Sequence, residues 1–357
     1  MKQCSEILCV GDIQFETHIT LDPALTQLLG KADIVFGNLE TPISNRGHPV
    51  NKVITMRTDP AHLSELRKLN LKIVTLANNH ILDFGVEPMF DTMRYLDEIN
   101  IRYVGAGRNR KEASAPVMVE SGSVKIGFLG AACTLPLDFA ANDSKPGIAP
   151  IHVNTYLRMD PVIEQEQPGT PPFIYTEPDG DDLNYLVEVV KNTKQEVDYI
   201  IMGIHWGVPF QNRVLDYQAK IADVLTKNGV DFVVGHHPHT LHGLSAANNK
   251  VVFYSLGNFV FHYKAPVSLV KKFSRIMGNM QSSPFSTIAK LSISKSETAI
   301  ELTPVVLNDE GNPRLATDKE AEQIRLTLQN LSADLGSGIE FEASNGIVIK
   351  VKVNSQT

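Results

Sequence analysis

The run Gly235-His236-His237-Pro238-His239 follows directly on the apolar segment Val230-Asp231-Phe232-Val233-Val234. Neutral imidazole binds zinc, iron, nickel or manganese, and two histidines one residue apart reach neighbouring coordination positions from a tight turn. A single histidine near a core is more often a hydrogen-bonded structural residue, so the inference rests on the cluster. Four other apolar runs stop in the same abrupt way. Residues 7–10 lead to Gly11-Asp12, with Gln14 just beyond, and residues 33–36 lead to Gly37-Asn38-Leu39-Glu40. Residues 73–77 lead to Asn78-Asn79-His80, with Asp83 and Gly85 further on, and residues 199–204 lead to His205-Trp206-Gly207. Open α/β sheets build their sites in the crevice outside the carboxyl ends of the strands, so five such ends predict one active site.

The elements that must position these residues alternate along the chain. Residues 23–29 and 60–69 read as short helices, the second with Asp59 as cap and Pro60 in its first turn. Residues 86–99 carry Met89, Phe90, Met93 and Leu96 at helical spacing, ahead of a strand over 101–104. Strands are predicted over 124–130 and 251–256, and helices near 182–192, 216–228 and 319–331. Repeated strand and helix units imply an α/β fold with a largely parallel, layered sheet. Residues 134–182 are rich in proline and acidic turns and read as a lid or substrate-shaping insertion. Past Phe261 the segments 287–293, 298–306 and 346–353 resemble antiparallel strands. The expected organisation is a main domain over 1–265, carrying the insertion, with a small α+β extension over 266–357 packed on it.

The chain has 357 residues, 43% hydrophobic and 20% charged, enough to bury a large core. A formal charge of -7 argues against broad electrostatic nucleic-acid binding. Cys4, Cys9 and Cys133 are scattered and odd in number, which indicates neither a disulfide framework nor a cysteine metal site. No apolar segment is long enough to cross a bilayer and no signal peptide is read, so the expected location is cytoplasmic. Oligomeric state is not legible.

The ordered set Gly11-Asp12, Asn38-Leu39-Glu40, Leu76-Ala77-Asn78-Asn79-His80 with Asp83 and Gly85, His205-Trp206-Gly207, Gly235-His236-His237-Pro238-His239 and Tyr254-Ser255-Leu256-Gly257-Asn258-Phe259 resembles the CapA group of bacterial proteins. That group is associated with poly-gamma-glutamate capsule synthesis, and its fold is related to the calcineurin-like metallophosphoesterases. The resemblance implies a four-layered α/β/β/α sandwich whose divalent ions activate water against phosphorus. It also implies that Asp12 and His239 hold one ion, that Glu40 bridges, and that Asn79, His205 and His237 hold the other. His80 becomes the proton donor to the leaving group, oriented by Asp83.

Gln14 departs from the phosphoesterase pattern, which has histidine there; an amide is the weaker ligand, which leaves open a poorly occupied first metal position, one filled with help from Glu16 or His18, or a one-metal site. Simpler roles compete at single positions. Asp12 can cap a turn, Glu40 can lie on a solvated face, and Asn78-Asn79 can be turn residues. Trp206 reads as a packing wall, Asn258 and His236 as neighbours of the ligands, and Asn78 as a support. Arg108, Arg110, Lys111, Lys264, Lys271, Lys272 and Arg275 are candidates to hold an anion, although such runs are more often solvated helix faces.

Three functional classes follow. The first is a hydrolase using one or two divalent ions (manganese, iron, zinc or nickel) on a phosphoester or a glutamyl amide. The second is a metal-independent proton-transfer enzyme such as a peptide epimerase. The third is a non-catalytic polyglutamate-binding or assembly factor. Each takes a small-molecule, peptide or polyglutamate ligand.

Overall fold

Period-two alternation separates the apolar side chains into layers. In β1 (Ser5–Gln14), Ile7 and Cys9 join one buried cluster while Leu8 and Val10 join another. β2 (Ile34–Leu39) splits in the same way, with Ile34 and Phe36 on one side and Val35 on the other. In the strand Phe232–His236, Phe232 and Val234 enter the cluster shared with β1, and Val233 enters a third. One core therefore lies between two sheets, and each sheet has a second core on its outer face.

The protein is described by a computed structural model covering residues 4–247, 250–264, 266, 268–269, 271, 283–336, 338–344 and 348–353. In the first sheet β1, β2, β3 (Leu71–Thr75) and β4 (Arg102–Val104) run parallel in that order. The second sheet is centred on the parallel strands Val124–Ala132, Tyr199–His205, Phe232–His236 and Lys250–Phe253. α1 (Pro23–Lys31), the 3-10 helix Pro60–Leu69 and α2 (Val86–Glu98) bury Leu25, Leu29, Leu66, Met89 and Leu96 against the outside of the first sheet. The helices Gly180–Lys194 and Asp216–Asn228 do the same for the second with Leu186, Val190, Ile221 and Leu225. This is the four-layered α/β/β/α sandwich.

The tail does not stand apart. The strand Phe285–Ile293 pairs antiparallel with residues 5–9 of β1, Thr298–Leu307 pairs with it in turn, and Val348–Val353 and Ile339–Ser344 complete that edge. The helix Asp318–Ala333 adds Ile324 and Leu328 to the core between the sheets. The expected α+β extension thus supplies half of the first sheet. Where Phe285–Ile293 leaves β1, the short strand Asn258–Phe261 takes its place, running parallel beside Asp12 to Gln14.

The insertion has more regular structure than its composition suggests. Val153–Arg158 and Phe173–Pro178 form an antiparallel hairpin joined through the short helix Pro161–Glu166. Asp160 caps that helix and Pro161 occupies its first turn, so the prolines mark element boundaries. Leu157, Val162, Phe173 and Ile174 of this hairpin are exposed.

Candidate metal centre

The layered strands bring the five predicted ends together. On the face between the sheets, the series Ile34, Phe36 and Ile201 continues at the strand ends as Asn38 and His205, and Phe232 and Val234 continue as His236. Glu40 follows immediately after β2, and its N–H donates to Ile13 O at 2.8 Å. Asp12 stands at a register shift in β1, where its N–H donates to Gly257 O at 3.1 Å. The crossing at this point is tight: a Cβ on Gly11 would lie 1.9 Å from that same carbonyl oxygen, and Gly257 has φ +78°. The glycines before Asp12 and Asn258 therefore let the two chains touch.

Asp12, Glu40 and His205 are buried, as are His236, His237 and His239. Ligand-type atoms of Asp12, Glu40 and His205 lie within 4.8 Å of one another, and so do those of Glu40, His237 and His239. Glu40 belongs to both groups, but they pair Asp12 with His205 and His237 with His239, whereas the resemblance pairs Asp12 with His239 and His205 with His237. His205 Nε2 lies 3.6 Å and His239 Nε2 3.7 Å from Glu40 Oε1. Among the described residues that oxygen has no hydrogen-bond donor, and His237 Nδ1 has no hydrogen-bond partner. Buried polar atoms are seldom left unpartnered. A carboxylate oxygen and an imidazole nitrogen without partners, amid further carboxylate and imidazole, form a donor set that suits a divalent cation.

Other groups aim these ligands. Asn38 Nδ2 donates to Asp12 Oδ1 at 2.8 Å and to Glu40 Oε2 at 3.2 Å, while Asn38 Oδ1 accepts from Asn78 Nδ2 at 2.9 Å. Asn78 Oδ1 in turn accepts from the N–H groups of His80 and Ile81. Asn258 Oδ1 lies 2.9 Å from His239 Nδ1, which fixes the ring with Nε2 toward Glu40. His237 donates its N–H to Asp12 Oδ2 at 3.0 Å from a backbone with φ +91°, and His239 has φ +55°. Left-handed backbone at two non-glycine residues is local strain held by the surrounding contacts, a feature that concentrates at functional sites. Asn79 Oδ1 accepts from His205 Nε2 at 2.7 Å.

The electrostatics are uneven. Burial pushes the Asp12 carboxyl up, but hydrogen bonding and charge from His236 and His239 more than reverse this and hold it well below the usual range. Burial, followed by the repulsion of Asp12, pushes Glu40 well above it. Burial lowers His239, yet Glu40 and Asp12 outweigh it and bring the imidazole up to about 9. His205 and His237 are held well below the ordinary histidine value, first by burial and then by neighbouring imidazoles.

Beside this cluster lies a second arrangement. His80 Nδ1 is 2.6 Å from Asp83 Oδ2, which also accepts the Met56 N–H at 2.7 Å. Lys52 Nζ donates to Asp83 Oδ1 and to Asn79 O, and lies 3.5 Å from His80 Nδ1. Burial lowers the His80 value, against the opposing pull of Asp83.

The remaining candidates are placed as follows. Trp206 is fully buried, donates Nε1–H to Tyr254 O at 2.9 Å and stacks on Tyr254. His236 Nδ1 is 3.2 Å from Asp12 Oδ1. Gln14 is engaged elsewhere: Oε1 accepts from Tyr263 N–H at 2.7 Å and Nε2 donates to Glu16 at 3.3 Å. His18 pairs with Glu65, away from either ligand group. Arg108 is exposed and paired with Glu112, and Arg110 with Asp182, while Lys272 and Arg275 lie outside the described residues. Asn38 stands in the motif Asn38-Leu39-Glu40 without a role assigned to it, and Lys52 stands in no motif. Asn38 was visible in principle, two positions after Phe36 on the inward face; Lys52 lies in an irregular segment and carried no signal.

The description "Bacterial capsule synthesis protein PGA_cap" matches residues 8–263. The chain belongs to this family. PGA biosynthesis protein CapA of Bacillus subtilis (strain 168) is 30% identical over 233 residues, covering 64% of this chain and 53% of that protein. Capsule biosynthesis protein CapA of Bacillus anthracis is 27% identical over 267 residues, covering 71% and 58%. The chain thus spans about half the length of the curated relatives it matches. Among solved structures, a phosphatase from Mycoplasma pneumoniae aligns with a TM-score of 0.51 at 13% identity, covering 86% of this chain and 95% of that one, a likeness of fold. Among the described residues no helix is long and apolar enough to cross a membrane.

Proposed function

We propose that this PGA_cap family chain is a metal-dependent hydrolase acting on a phosphoester or, less readily, on a glutamyl amide. One observation carries the reading: two buried groups of ligand atoms share Glu40, whose Oε1 has no hydrogen-bond donor among the described residues. By the family resemblance Asp12, Glu40 and His239 would hold one ion and Glu40, Asn79, His205 and His237 the other, an assignment that crosses the two groups of ligand atoms, which pair Asp12 with His205 and His237 with His239. Bound there, divalent ions supply Lewis acidity and lower the pKa of water. The chain's own residues do the rest. Asn38 and Asn258 fix the rotamers of Asp12, Glu40 and His239. Asp83 accepts the Nδ1 proton of His80, leaving Nε2 as the atom that exchanges a proton with the leaving group. The names of the Bacillus relatives point to glutamyl polymers as the chemical setting.

The reading is tested by elemental analysis of tag-free protein, wild type against His237→Ala, with hydrolysis of aryl phosphates and glutamyl peptides measured with and without manganese. Close to two ions per chain, lost in the variant along with turnover, is the expected result. Gln14 favours a second reading with one ion or none, because its amide is committed to Tyr263 and Glu16. Proton exchange at a peptide α-carbon that survives chelation and is lost in His80→Ala would establish that alternative.

A further inference from the structure

Among the described residues Lys52 has a donor to spare. Its side chain is 18% exposed and is held in a segment folded around Asp83, whose carbonyl accepts the Val50 N–H and whose carboxylate accepts the Met56 N–H. An ammonium has three N–H donors and no acceptor. Two go to Asp83 Oδ1 and Asn79 O. The third neighbour is His80 Nδ1 at 3.5 Å, but that nitrogen is 2.6 Å from Asp83 Oδ2 and must carry its proton toward the carboxylate. It therefore cannot also accept from Lys52. The ammonium is further held 5.3 Å from the ring centroid of Phe139, which belongs to the insertion. Lys52 also lies close enough to the ligand cluster for its charge to act on Glu40 and His237.

We propose that Lys52 receives the anionic end of the ligand, its remaining N–H binding an oxygen of a phosphate or carboxylate group beside His80. The inference rests on the reading of the site given above and deepens it: the substrate carries a negative charge next to the bond that is cut. Asp83 then has two tasks, holding the ammonium and holding the imidazole, so both reach the same ligand from one side.

The test is calorimetric titration of the full chain, with and without manganese, using inorganic phosphate in one arm and γ-glutamylglutamate in the other. Lys52→Gln is expected to weaken binding of whichever anion the wild type holds by about 10- to 100-fold, the scale of one charged hydrogen bond, with metal content unchanged. Lys52→Arg is expected to recover part of the loss. A loss confined to phosphate identifies a phosphoester ligand, and one confined to the dipeptide a glutamyl ligand. Equal binding by Lys52→Gln and wild type in both arms overturns the proposal, as does a wild type that binds neither anion. If Lys52→Gln fails to fold, the double variant Lys52→Gln with Asp83→Asn removes the buried charge pair together. A purely structural lysine predicts that anion binding returns in the double variant; the proposal predicts that it does not. A wild type that takes up no metal removes the hydrolase reading, while the manganese-free arm still decides the role of Lys52.

Discussion

Asp12 and Asp83 are both fully buried, yet their surroundings balance them differently. Around Asp83 the account closes within the chain, with the Lys52 ammonium on one oxygen and the His80 imidazole and Met56 N–H on the other. Around Asp12 it does not close. Asn38 Nδ2 and the His237 N–H donate to Asp12, and the His236 and His239 rings lie within 3.4 Å of it, but Glu40 stands beside it as a second buried carboxylate with an oxygen that has no donor among the described residues. Two carboxylates removed from water repel each other and favour protonation of one or capture of a cation. The contrast separates two kinds of buried charge. The Asp12 and Glu40 pair is arranged to be completed from outside, whereas the Asp83 carboxylate is satisfied within the chain and positions Lys52 and His80.

The sharpest way to break this comparison is to remove the lysine. Lys52→Met leaves the Asp83 charge buried without its counter-ion, which costs about 3–5 kcal/mol in comparable pairs. Urea unfolding of the metal-free protein should show a loss of that size, and adding Asp83→Asn should recover most of it. A loss below about 1 kcal/mol would mean that the Asp83 charge is balanced without Lys52. A smaller effect, and of opposite sign at the two carboxylates, is expected in the other region. The fold holds Glu40 above its unfolded value, so at neutral pH its charged form opposes folding. Glu40→Gln should therefore stabilise the metal-free protein and abolish metal uptake. Asp12 is held below its unfolded value, so Asp12→Asn should destabilise. Stability changes of the same sign in both variants would contradict the asymmetry.

The same difference explains what could be read from the sequence. Ligands at strand ends are legible because alternation carries an inward series from apolar residues into polar ones, as at Phe36 and Asn38 or Val234 and His236. The layered fold followed from the same periodicity and from the family resemblance. Lys52 lies in a segment without period, and only tertiary contacts bring it to Asp83. The tail shows a related limit: three of its strands are visible locally while Ile339–Ser344 is not, and residues 285–293 pair with residues from the start of the chain, a partner so distant that no local pattern names it. Gln14 is the odd residue of its motif in the sequence, but its bond to Tyr263 N–H depends on a segment nearly 250 positions away.

Glu65 offers the mildest test, because it is balanced like Asp83 but lies at the edge of the outer layer. It accepts from Lys68, from the Ile19 N–H and from His18, and belongs to neither ligand group. Partial burial pushes its carboxyl up, and these donors outweigh that and lower it from 4.5 to about 2. A carboxyl lowered in the folded state contributes stability that is fully present above its unfolded value and is lost as pH falls through its folded value. Thermal unfolding followed between neutral pH and about pH 2 should therefore show Glu65→Gln less stable at pH 7. The gap to wild type should close between about 4.5 and about 2, with metal content unaffected throughout. His18→Asn should leave the gap almost intact, since the His18 side chain is 80% exposed and such a pair is screened by water. A Glu65→Gln protein whose acid limb matches wild type would show that internal donors do not hold this charge. The contrast between closed and open charge accounts would then rest on Lys52 and Asp83 alone.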